Sequence, residues 1–159
     1  MRKLVVYPLI VVAGFVVGIG LGDGAVWTLL AGPPDMGRAD FARTQRPANE
    51  FLACTADDPG CADPDLVIEP HAAPPGNVLA AIENGAFLDP HVVRVDDGSD
   101  PLHRRYVART RILKFPDTIT VDAVPMGTGT ALRISSRSQI GESDFGVNEK
   151  RVRRWLSAL

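Results

Sequence analysis

The sequence predicts an α+β protein: an antiparallel sheet of about five strands with two helices on one face, preceded by a single N-terminal transmembrane helix. Three observations lead there. An uncharged apolar run of 19 residues, Leu4 to Gly22, follows Arg2 and Lys3. Segments of alternating apolar and polar residues crowd the C-terminal half, with the period of half-buried strands. Two short stretches, one central and one terminal, carry apolar residues at helical spacing. A chain of 159 residues, 45% hydrophobic and 23% charged, holds one globular domain of ordinary size plus an appendage.

Taken in order, the apolar run is close to the roughly 20 residues that a helix needs to cross the hydrocarbon core. It is longer than the apolar region of about 7–15 residues in a secretory signal. Residues 1–32 are therefore expected to be an uncleaved single-pass anchor, with membrane contact over 4–32; a cleaved signal is the alternative. The positive-inside rule puts Arg2 and Lys3 in the cytoplasm of a bacterial inner membrane and the C-terminal domain in the periplasm. Asp23 reads as a residue at the membrane surface, with Trp27 in the interfacial aromatic belt, or else as a contact to a partner helix. Gly14–Gly18, Gly18–Gly22 and Gly20–Gly24 stand at the spacing that permits close helix packing, a pattern common by chance in glycine-rich spans.

Residues 33–65, rich in Pro, Asp and Gly, read as a tether with an irregular lead-in. Cys54 and Cys61 are the only cysteines. In an oxidising compartment they are expected to form a structural disulfide, worth about 2–3 kcal/mol by the chain-entropy model. The spacing fits neither a redox C-x-x-C, a haem attachment motif nor a zinc site.

The globular pattern begins near Leu66 and occupies 66–159. "DLVIEPHAA" reads as a strand. "PPGNVLAAIENG" reads as a short helix, with Asn77 as its cap, Val78, Leu79 and Ile82 as its apolar side, and Gly85 at its end. "PHVVRVDD" is a second strand. "RRYVARTRIL" alternates, with Tyr106, Ala108, Thr110 and Ile112 on one face and Arg109 and Arg111 on the other. "DTITVDAVPMGTGTALRISSRS" reads as a hairpin turning at "MGTG", with Ile119, Val121, Ala123, Leu132 and Ile134 toward the core. "VNEKRVRRWLSAL" places Val152, Trp155, Leu156 and Leu159 on one side of a helix, opposite Lys150, Arg151, Arg153 and Arg154. A sheet with both helices on one face buries these stripes.

The tail carries a resemblance. "YVARTRILKFPDTITVDAV" and "ALRISSRSQIGESDFGVNEKRV" resemble the bacterial domain-of-unknown-function family 1499. The match lies in Ser136, Arg137, Ser138, Gly141, Ser143, Asp144, Phe145, Gly146, Asn148 and Arg151. "RPANEFLAC" and "DLVIEP" fit the looser first half, so the resemblance spans about residues 46–155. It implies an envelope- or membrane-associated protein with no established activity. The Cys54/Cys61 insert departs from the shorter, serine-bearing lead-in of the family.

The chemistry of the chain points to binding. Residues 33–103 hold 13 acids against 4 Arg, whereas residues 104–159 hold 11 Lys/Arg against 5 acids. Nucleic acid is excluded as a partner, because the chain is slightly acidic overall and lacks a basic run with interleaved aromatics. Ser143 and Asp144 have no histidine in a recognisable motif and no nucleophile elbow, so hydrolysis is not expected. No catalytic group, cofactor or metal site is expected. In the loop after the hairpin, Gly141 and Gly146 supply the bends, Asp144 or Asn148 caps the last helix, and Phe145 plugs the core. By alternation Arg109, Arg111, Arg133, Ser135 and Arg137 share the polar sheet face. These arginines either bind a small anion or acidic partner, with Arg137 the foremost candidate, or pair internally with Asp122 and the acidic 33–65 segment. The expected function is that of a non-catalytic accessory or scaffold component of a membrane complex, with other membrane or envelope proteins as partners. The alternative is a small anion- or lipid-headgroup-binding module.

Overall fold

A computed structural model describes residues 25–159. The run Leu4–Gly22 and its glycine spacings lie outside the described residues. No helix among the described residues is long and apolar enough to cross a membrane. The elements are α1 (Ala25–Ala31), β1 (Glu50–Thr55), β2 (Leu66–Ile68), α2 (Pro75–Phe87), β3 (Val92–Arg94), β4 (His103–Arg109), β5 (Pro116–Met126), β6 (Gly129–Ser138) and α3 (Val147–Leu156). The strands form one sheet in the order β2-β1-β6-β5-β4-β3. The fold is α+β.

The sheet has six strands and is mixed, which corrects the antiparallel expectation of about five. β1 and β2 run parallel, with Cys54 opposite Val67, while the remaining pairs are antiparallel. The additional strand, β1, comes from the segment read as a tether. Its sequence EFLACT is buried on both faces, so it shows no alternation to betray it. Flanked by β2 and β6, it is an interior strand of the sheet.

The β5–β6 hairpin forms where the sequence alternates, and it turns between Met126 and Gly129, with Gly127 at φ 57°. β4 stops at Arg109, three residues short of the alternating pattern. The hydroxyl of Thr110 accepts from Phe115 N–H at 2.9 Å, and Lys114 takes a left-handed φ of 57°. Ile112 therefore lies on an exposed turn and not in the core. α2 starts with Pro75 behind Pro74, without a side-chain cap from Asn77. It also runs past Gly85, which is retained for space. A Cβ there would lie 3.1 Å from the Ala158 methyl and 3.5 Å from the Trp155 carbonyl oxygen, so the glycine admits the end of α3.

α2 and α3 pack together on one face of the sheet. Val78, Leu79 and Ile82 meet Ile119, Val121, Leu132 and Ile134, with Val152 and Trp155 closing the layer. The Trp155 ring meets Tyr106 edge-on, with centroids 5.2 Å apart. Each such side chain contributes about 1.5–3 kcal/mol through burial.

The opposite face is covered by residues 33–48. The Thr118 hydroxyl accepts from Met36 N–H and donates to the Pro34 carbonyl, and the Thr120 hydroxyl accepts from Ala39 N–H. Arg38 donates to buried Asp122 at 2.6 Å. Phe41 packs on Leu52 and Cys54. The "tether" is thus a strap across the sheet, and Cys54 and Cys61 form the expected disulfide beside it.

Candidate functional site

The loop from Gln139 to Gly146 joins β6 to α3 through left-handed residues at Gly141, Phe145 and Gly146. The Asp144 carboxylate accepts from Gly146 N–H at 3.1 Å and Asn148 N–H at 2.7 Å, satisfying free donors at the start of α3. Asn148 is not a cap. It is the second residue of α3 and fully buried, its side chain turned to the sheet, and Phe145, expected beneath the loop, is 89% exposed.

Asn148 instead belongs to a buried polar network that the sequence reading missed. Arg151 donates to Asp117 at 2.6 Å, to the Asn148 side-chain Oδ1 at 2.7 Å and to the Ser136 hydroxyl at 2.9 Å. Ser136 donates to the same Asn148 oxygen, while the Asn148 amide donates to the Asn49 carbonyl and to the Ser138 hydroxyl. The Asn49 amide closes the set on the carbonyls of Ser138 and Gly141. One signal was available: Ser136 and Ser138 continue the inward-facing positions of Leu132 and Ile134, where a small polar residue requires a partner. The network fixes the joint and the angle of α3. Breaking a buried ion pair such as Asp117–Arg151 costs about 3–5 kcal/mol.

The four arginines assigned to one sheet face do not form one patch. Arg133 is paired internally: its guanidinium grips Asp58 at 2.6 and 2.7 Å in the disulfide-closed loop. That hydrogen bonding holds the Asp58 carboxyl below the usual carboxylate range. Gly60 makes room for the guanidinium, since a Cβ there would sit 2.1 Å from its terminal nitrogen. Asp122, named as a possible arginine partner, takes His103 at 2.7 Å and Arg38. Arg137 lies under the strap beside a cavity of about 170 Å³ shared with Arg43, Glu50 and Ser135. Glu50 is engaged by Arg43 and by the Ser135 hydroxyl, and Arg137 Nε is buried without a partner.

Arg109 and Arg111 lie elsewhere, at the end of β4 and in the turn after it. They line a cleft of about 610 Å³ with His91, Lys150, Arg151 and Arg154. Asp89 is the single acid in its wall, and Arg154 reaches it at 3.3 Å. Arg151 is held by Asp117. Among the described residues no carboxylate pairs with Arg109, Arg111 or Lys150; Arg109 makes only a 3.3 Å bond to the Lys114 carbonyl. Lys150, which the helical pattern placed on the polar side of α3, thus joins two of the predicted arginines. Concentrated unpaired cations in a concave wall attract anions and present several donors to them.

A solved structure, protein CV1439 from Chromobacterium violaceum, is similar over 69% of this chain and 91% of its own, at 12% identity and a TM-score of 0.41. No curated protein matches. The model of the family DUF1499, described as "Protein of unknown function", matches residues 37–159, which takes in the strap, all six strands and the joint. The chain belongs to the DUF1499 family.

Proposed function

We propose that this is a membrane-anchored envelope protein that acts by binding, and that its site is the basic cleft between the Arg109–Arg111 segment and α3. The supporting observation is the cleft's charge: Arg109, Arg111 and Lys150 face it without a carboxylate partner among the described residues. An exposed cation that lacks an internal partner gains from binding an anion, and guanidinium matches the two oxygens of a phosphate or carboxylate. On our reading the anion sits at the end of the sheet and not on its polar face. On the sheet face, Arg133 is already held by Asp58 and Arg137 is covered by the strap. An accessory role in a membrane complex is compatible with this site, the anion then belonging to the partner.

Titration of the full chain in detergent with inorganic phosphate, followed by NMR, tests the proposal. The expected result is saturable millimolar binding that shifts the amides of Arg111 and Lys150, weakened at least about tenfold by Arg111→Gln plus Lys150→Gln. Arg153→Gln, outside the cleft, should leave it unchanged. Absence of binding to the parent chain, or equal loss with Arg153→Gln, would overturn the site.

A further inference from the structure

The cleft adjoins an apolar surface at the same end of the sheet. The 110–115 turn carries Ile112 (78% exposed) and Leu113 (45% exposed), and the joint before α3 carries Phe145 (89% exposed). A groove of about 280 Å³ lies between turn and joint, lined by Phe115, Ile140, Phe145 and Val147; Thr110 and Val147 line both it and the basic cleft. Phe145 holds a left-handed φ of 53°, unusual for a bulky residue, while its ring touches solvent. Burial within this domain does not compensate that strain.

α1 indicates what covers this surface. The Trp27 ring packs on Phe115 with centroids 4.6 Å apart, and its indole N–H donates to the Leu113 carbonyl. The Gln139 amide holds the carbonyls of Ala31 and Pro33. Ala25, the first described residue, follows Gly22, where the uncharged run ends, by three positions. If that run spans a bilayer, Trp27 stands at its surface, and its bonds bring Leu113 to the same depth.

We infer that the end of the sheet bearing Trp27, Ile112, Leu113 and Phe145 docks onto the surface of an anionic lipid bilayer. The apolar side chains enter the interface, and Arg109, Arg111 and Lys150 meet lipid phosphates. The docking follows from the apolar tips and from α1, and its second support rests on the membrane anchor proposed above; the identity of the anion, a headgroup phosphate, rests on the binding site proposed there. Apolar tips ringed by Lys and Arg are the chemistry that lies in a headgroup layer.

Because Cys54 and Cys61 are bridged, one introduced cysteine can be spin-labelled in the full chain. Ile112→Cys, Phe145→Cys and, as a reference on exposed β2, Val67→Cys are placed in vesicles of mixed phosphatidylcholine and phosphatidylglycerol. At positions 112 and 145 the ratio of oxygen to water-soluble nickel-chelate accessibility should exceed that at Val67 several-fold. Equal ratios at all three positions overturn the docking, as does shielding from both reagents, which marks contact with a second copy. The outcomes separate the two proposals. Raised ratios that ignore both phosphatidylglycerol and the Arg111→Gln/Lys150→Gln change leave the docking standing and refute the headgroup contact. Aqueous labels in a chain that still binds phosphate refute the docking alone.

Discussion

The two faces of the sheet are covered by different physics. On β5, Ile119, Val121 and Ala123 face α2 and α3, whereas Thr118, Thr120 and Asp122 face the strap, and all six are buried. The first cover is mainly apolar, pinned at one end by the Asp117–Arg151–Asn148–Ser136 network. The second is a set of directional bonds, each made to one backbone or carboxylate group, with only Phe41, Leu52 and Cys54 as an apolar patch. An alternating strand is usually read as having one wet face. Here the polar face is covered by a chain segment that itself has no pattern.

The contrast can be broken most forcefully on the helix side. Trp155→Ala removes the largest fully buried side chain and should cost about 3–5 kcal/mol in urea unfolding. A loss below about 1 kcal/mol would show that α3 is held by its polar network instead. On the strap side, reducing the Cys54–Cys61 disulfide should cost about 2–3 kcal/mol while leaving the helix-face core, followed by near-ultraviolet circular dichroism of Trp155, in place. Simultaneous loss of that signal would show that the two faces unfold together. The smallest effect concerns pH. The folded-state pKa of Asp58 is lowered by Arg133, so the pair adds stability above the unfolded carboxylate value of about 4 and loses it as pH falls through the folded value. A melting temperature that declines below about pH 4, less steeply in Arg133→Gln, is the expected result.

What could be read from sequence follows the same division. β5, β6 and α3 were evident because apolar periodicity sets them, and Cys54–Cys61 because two cysteines allow one bridge. β1 was hidden by burial on both sides, and the strap by having no period at all. In the site, the alternation running on to Ile112 predicts a strand at Arg111, where the structure has a turn. The Thr110–Phe115 bond that ends β4 is a local polar closure that hydrophobic spacing does not register. Phe145, being aromatic, predicts a core plug, yet its left-handed backbone holds it out. Register alone groups Arg133 with Arg137; what distinguishes them is Asp58, which reaches Arg133 from 75 positions earlier in the chain.

The position of β1 also has a consequence for the order of assembly. A chain is made from its N-terminus, so β1 exists long before β6, the neighbour that pairs Glu50 with Arg137 and Cys54 with Arg133. Until then β1 has only the three residues of β2 alongside, whereas β6 has β5 next to it in sequence through a tight hairpin. The bridge between Cys54 and Cys61 needs none of this distant material and can close early. A nascent molecule would thus carry a pre-formed corner that waits for the rest of the sheet, and the late docking of β6, rather than formation of the hairpin, should limit its rate of folding.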